Sequence, residues 1–121
     1  MSDWPETLPG LNLKQALSQL GGKKALYVRL LGMFEGSHTG DVDRIIEAAN
    51  AQDWTTVHDI NHALKGVTGN LAADELFGLC TALDHKVKEN NHDLQDELAA
   101  MPQAMSTLLE SVAQAKNLPV D

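Results

Sequence analysis

Apolar residues recur every three or four positions along this chain and nowhere alternate convincingly with polar ones. That spacing predicts helices and no sheet. Leu13, Ala16, Leu17 and Leu20 suit one short helix, closed by Gly21-Gly22. KKALYVRLLGMFEG puts Leu26, Leu30, Leu31 and Phe34 on one face of a second helix, and SHTG reads as a break. Asp41 is placed to cap a third, bearing Val42, Ile45, Ile46 and Ala49. Asp53 is placed to cap a fourth, with Val57, Ile60, Leu64, Val67 and Leu71 as its apolar stripe. Ala72-Ala73-Asp74 reads as a tight connection into a fifth helix carrying Leu76, Leu79, Cys80, Leu83 and Val87. A sixth carries Leu98, Met101, Met105, Leu108, Leu109 and Val112. Pro102 is expected to kink it or to mark its true start.

Connections this short favour antiparallel neighbours. The expected fold is all-α, an antiparallel up-down four-helix bundle with an additional short N-terminal helix. With 121 residues the chain reads as one domain, 1–121. Residues 1–10 are an irregular lead-in and 116–121 a frayed tail.

Charge narrows the function. Nine basic residues against seventeen acidic give a net −8. That disfavours nucleic acid, which needs clustered Lys and Arg, and an anionic membrane surface likewise. No apolar run is long enough to span a bilayer. MSDWPETLPG lacks the basic-then-apolar order of a signal peptide. The lone cysteine, Cys80, has no intrachain disulfide partner and falls on an apolar face as core packing. A cytoplasmic protein is the expectation.

Within the fourth helix, NHALKGVTGNL holds two glycines, each costing roughly 1 kcal/mol relative to Ala in a helix interior. On a wheel of about 100° per residue, His62 lies roughly 140° from Val57, nearly opposite the apolar stripe. Gly69 lies about 20° and Gly66 about 40° from His62, with Lys65 and His58 nearby. Bare backbone beside an exposed imidazole leaves room for a bulky partner, and the Lys65 ammonium can meet an anion on the ring. Neutral imidazole is a competent nucleophile near neutral pH. The group suits phosphoryl transfer to nitrogen, where the protein supplies position and charge compensation.

Blander readings stand beside it. Gly66 alone would suit a left-handed stop after Lys65, although the apolar spacing continues to Leu71. His58 and His62, four apart, have the spacing of helical zinc ligands. But Asp59-Ile60-Asn61 between them lacks the metalloprotease Glu, and Lys65 would repel a cation. Asp84 or His85 would join them only if the fifth helix presents one. No metal is therefore expected. No Gly-rich phosphate loop is present, so no nucleotide hydrolysis is expected.

HALKGVTGNLAADEL resembles the signature of histidine-containing phosphotransfer (HPt) domains of bacterial phosphorelays. That signature has a phosphorylatable His, Lys three residues on, Gly four on, a small residue at seven and a Gly-Ala-like pair at ten and eleven. These fall on His62, Lys65, Gly66, Gly69, Ala72 and Ala73, with Ala72 where Gly is common. The opening LPGLNLKQALSQLGGKKALYVRLLGMFEG is similar to HPt domains at the C-terminus of hybrid sensor kinases. Leu76, Cys80, Leu83 and Asp84 are similar to the family's next helix. The resemblance covers residues 8 to about 115.

It implies a monomeric carrier with no kinase or ATPase activity of its own and no cofactor, Mg2+ belonging to the partner. His62 accepts a phosphoryl group from a receiver-domain aspartate and passes it to another receiver. Lys65 offsets the charge, while Gly66, Gly69 and Ala73 support the site. His58, Asp59, Lys65, Gly69 and Phe77 meet the receiver, with Phe77 read as core edge before docking anchor. Partners are response-regulator receivers and a hybrid sensor kinase. The competing expectation is a helical interaction module that is never phosphorylated. Gly69→Leu is expected to leave the helix at least as stable while obstructing the receiver.

Overall fold

The computed structural model describes residues 4–120; the first three residues of the lead-in and the last of the tail lie outside that range. Six helices follow one another: α1 (Leu13–Gln19), α2 (Lys24–His38), α3 (Asp41–Asn50), α4 (Trp54–Leu71), α5 (Asp74–Lys88) and α6 (Gln95–Lys116). No strand occurs among the described residues, only an isolated bridge between Leu8 and Leu11.

Helix α4 packs against α3 and α5, and α5 packs against α6. Both α2 and α3 pack on α4 and on α6 but scarcely on each other. They therefore share the corner of the bundle that faces α5, and α1 packs against α2. The result is a four-cornered helical bundle with a short N-terminal helix added. Its core runs through Leu31, Phe34, Ile45, Val57, Leu64, Leu76, Leu83, Met101 and Leu108.

Local chemistry explains most boundaries. Asn12 caps α1 by accepting from the Gln15 amide, and Gly21 and Gly22 end it with positive φ. Asp53 caps α4 by accepting from the Thr56 amide. Asp41, expected as a cap, is instead the first residue of α3; Gly40 is the N-cap. The Asp41 side chain is buried, with Oδ2 2.7 Å from His38 Nδ1 and Oδ1 3.5 Å from Arg44. His38 and Ser37 belong to α2, so the expected break at SHTG shrinks to Thr39-Gly40. Pro102 neither starts nor ends α6, which is continuous from Gln95 to Lys116. Its exposed ring leaves only the Leu98 carbonyl without its helical donor. The tail is less frayed than expected: Leu118 packs against the core, and the Trp4 indole donates to the Pro119 carbonyl at 2.7 Å.

Two stripes differ from the apolar reading. In α2 the buried residues are Tyr27, Leu31 and Phe34, while Leu26 is exposed and Leu30 half-buried. Tyr27 reaches across the core to donate its hydroxyl to the Leu71 carbonyl at 2.8 Å. That satisfies one of the carbonyls left orphaned where α4 stops. Burial, and then the Asp74 charge, push the Tyr27 hydroxyl well above its ordinary pKa, so it remains a donor. Tyr27→Phe should cost about 1–3 kcal/mol, since a buried carbonyl loses its partner. Urea unfolding measures this; a loss below about 0.5 kcal/mol would mean that another donor takes over.

In α4 the buried residues are Val57, Asn61, Leu64, Thr68 and Leu71. Ile60 and Val67, read as core, are half-buried at its edge. The stripe thus includes two polar residues. Thr68 donates its hydroxyl back to the Leu64 carbonyl at 2.8 Å, which lets it sit in the core.

Candidate functional site

Helix α4 runs unbroken through Gly66 and Gly69 to Leu71, so Gly66 is not a helix stop. The turn falls instead at Ala72, which adopts a left-handed conformation with φ 58°. The Ala73 amide then closes back onto the Thr68 carbonyl at 2.9 Å. Ala73 is fully buried and is the N-cap of α5. It supports the corner between α4 and α5, rather than space beside His62.

With the stripe from Val57 to Leu71 turned inward, His62 faces outward and is exposed. One turn earlier the His58 ring lies nearly parallel to it, centroids 5.5 Å apart with 13° between planes. His58 Nδ1 is 3.2 Å from Asp59 Oδ1, and Asp59 is exposed. One turn later, half-buried Lys65 places its Nζ 3.3 Å from Asp84 Oδ2 on α5. Lys88 reaches the same oxygen at 3.0 Å. The other oxygen, Asp84 Oδ1, lies 3.8 Å from His58 Nε2 and has no hydrogen-bond partner.

Asp84 is only 2% exposed, so this acid is held under the histidines rather than beside them. Burial opposes its charge. Hydrogen bonds from Lys88 and Lys65, together with their charges, outweigh that opposition and hold the carboxyl below its usual range. Asn61, wholly buried beneath the same turn, donates to the Cys80 carbonyl at 2.9 Å and so ties α4 to α5. Cys80 is buried as expected, and its thiol is pushed up to about 12, mainly by burial.

The two glycines differ. A β-carbon at Gly66 would meet open space. One at Gly69 would approach Phe77 Cε1 to 3.0 Å and Cδ1 to 3.2 Å. Gly69 is therefore bare because the half-buried Phe77 ring of α5 lies against it. The core-edge reading of Phe77 does not hold: Leu79 of α5 packs against the core, whereas Phe77 covers α4 at Gly69. The expectation that Gly69→Leu spares stability therefore turns on the Phe77 ring, which must give way to admit even a methyl group.

The structure thus gathers His58, His62 and Lys65, and adds Asp84. His85, the other candidate from α5, points elsewhere: it is exposed and pairs with Glu89 at 2.7 Å. Asn61 was absent from the site read in the sequence, and Asp84 entered it only as a conditional ligand beside His58 and His62. Asp84 follows Leu76 and Cys80 at steps of four, so its place on a buried stripe was available as a signal.

Fold and site define a helical bundle that presents a histidine at its surface, with an ammonium and bare backbone one turn away. The chain matches the family model of the Hpt domain over residues 29–117, well over half of its 121 residues, and it belongs to that family. Hpt domains serve histidine phosphotransfer in phosphorelays and interact with receiver domains of response regulators. No curated protein and no solved structure matches the chain. No helix among the described residues is long and apolar enough to cross a membrane.

Proposed function

We propose that His62 is the phosphoryl acceptor of this domain, receiving the group from a receiver aspartate and passing it to another receiver. The observation that carries this reading is the exposed imidazole with open space over Gly66 and Lys65 one turn on. The lone pair of an imidazole nitrogen, Nε2 by the family resemblance, attacks phosphorus. The N–P bond forms as the bond from phosphorus to the aspartyl oxygen breaks, and the carboxylate leaves with the electron pair. Onward transfer reverses these steps on a second receiver. Mg2+ belongs to the receiver. The chain acts as a monomeric, cytoplasmic single domain, on its own or with a hybrid sensor kinase. The receiver docks over α4 and α5 around His62, against His58, Asp59, Lys65, Gly69 and Phe77.

Incubation with a receiver charged by acetyl phosphate tests the reading. Phosphate that is labile in acid and stable in base should appear on this chain. A chain that binds the receiver and stays unphosphorylated would instead be an interaction module.

Lys65 has a particular part. Its ammonium rests on Asp84, which keeps Lys88 when Lys65 turns to a phosphate on His62. Lys65→Ala should reduce the phosphorylated fraction at equilibrium, or shorten its lifetime, by several-fold. A partly exposed pair of this kind is worth on the order of 1 kcal/mol. Added salt should narrow the difference between wild type and variant. Unchanged lifetime and equilibrium, with weaker binding of unphosphorylated receiver, would assign Lys65 to docking instead.

A further inference from the structure

We propose that His58, His62 and Asp84 form a binding site for a divalent transition-metal ion, with Zn2+ the best match. One ligand atom from each of these residues lies within 4.8 Å of those from the other two. A tetrahedral donor set with bonds of about 2.1 Å needs spacings of about 3.4 Å. The exposed His62 ring and half-exposed His58 ring supply that closure by side-chain rotation on a rigid helix.

Three features favour an ion here. Asp84 Oδ1 is buried, unpartnered and directed at His58 Nε2, 3.8 Å away. A buried carboxylate oxygen without a partner carries a desolvation cost that a cation would relieve. Second, both lysines sit on the opposite oxygen, Oδ2, so Oδ1 is left clear. Third, Asp59 lies 3.2 Å from His58 Nδ1. A proton held there leaves the Nε2 lone pair facing Asp84, the carboxylate–histidine arrangement that supports metal ligands.

Lys65 and Lys88 both lie close and oppose a cation. Their charges are partly offset by Asp84 itself and by Asp59, so the lysines lower affinity rather than abolish it. Two imidazoles and one carboxylate select zinc, copper or nickel over Mg2+, which prefers an all-oxygen shell. The site therefore differs in kind from the receiver's Mg2+ site. On the phosphotransfer reading of His62, metal and phosphoryl group would compete for one imidazole, so occupancy would hold the domain out of the relay.

Co2+ is the probe, because tetrahedral binding gives visible d–d absorption. Titration of the metal-free protein should show one equivalent bound, displaced by Zn2+ and not by excess Mg2+. His58→Gln and His62→Gln should each weaken Co2+ binding by more than about tenfold. Asp84→Asn should do so as well if circular dichroism shows it folded; His58→Gln, at a half-exposed position, serves if it is not. His85→Gln should leave binding unchanged. No saturable binding at submillimolar Co2+ would overturn the proposal. So would affinity unmoved by His58→Gln, or affinity lost with His85→Gln. Metal binding is read without any phosphoryl transfer, so its failure and that of the proposed function are separate results.

Discussion

His62→Gln is expected to accept no phosphoryl group from a charged receiver while keeping the fold. The glutamine amide nitrogen is not nucleophilic, so the loss should be complete rather than partial. Stability should change little, because the ring is exposed and its neighbour is the His58 ring, not the core. Surface substitutions of this kind usually stay within about 0.5 kcal/mol. Thermal melts followed by helical circular dichroism read the fold, and a transfer assay reads the acceptance. Retained transfer would shift the acceptor to His58, the half-buried neighbour one turn earlier. Collapse would mean that the outward face of α4 is misplaced.

Gly66→Leu should separate stability from transfer. Open space surrounds a β-carbon there, and α4 continues through the position. Leucine should therefore stabilise the helix, by as much as about 1 kcal/mol, through propensity alone. It should nevertheless slow transfer by roughly 100-fold, because its branch keeps the receiver from closing on His62. Misplacing reacting groups by about 1 Å is enough for a loss of that size. Gly69→Leu should behave differently: its side chain meets Phe77, so both melting temperature and transfer should fall. In the double variant Gly69→Leu, Phe77→Ala the melting temperature should recover. A Gly66→Leu protein that melts higher and transfers at the wild-type rate would remove Gly66 from the docking surface.

Much of this was legible in the residues. The Asp53 cap, the Gly21-Gly22 stop and apolar steps of three and four carry local signals that α1 and α4 follow. The outward position of His62 followed from the apolar stripe alone. What stayed hidden depends on contacts between helices. Asn61 and Thr68 look polar in sequence, yet α5 offers Asn61 a carbonyl and α4 offers Thr68 its own. Asp84 and His85 stood as equal candidates in the sequence, and only the packing of α4 on α5 brings Lys65 and His58 onto Asp84. Gly69 and Gly66 share a face of one helix, and only the Phe77 ring of the next tells them apart.

The central claim is that His62 carries the phosphoryl group. Its most direct test is to charge the wild-type chain with phosphorylated receiver, digest it under alkaline conditions and locate the phosphate by tandem mass spectrometry. The account predicts phosphate on His62 alone. Phosphate on His58 or any other side chain, or none on a chain shown to bind the receiver, would contradict it.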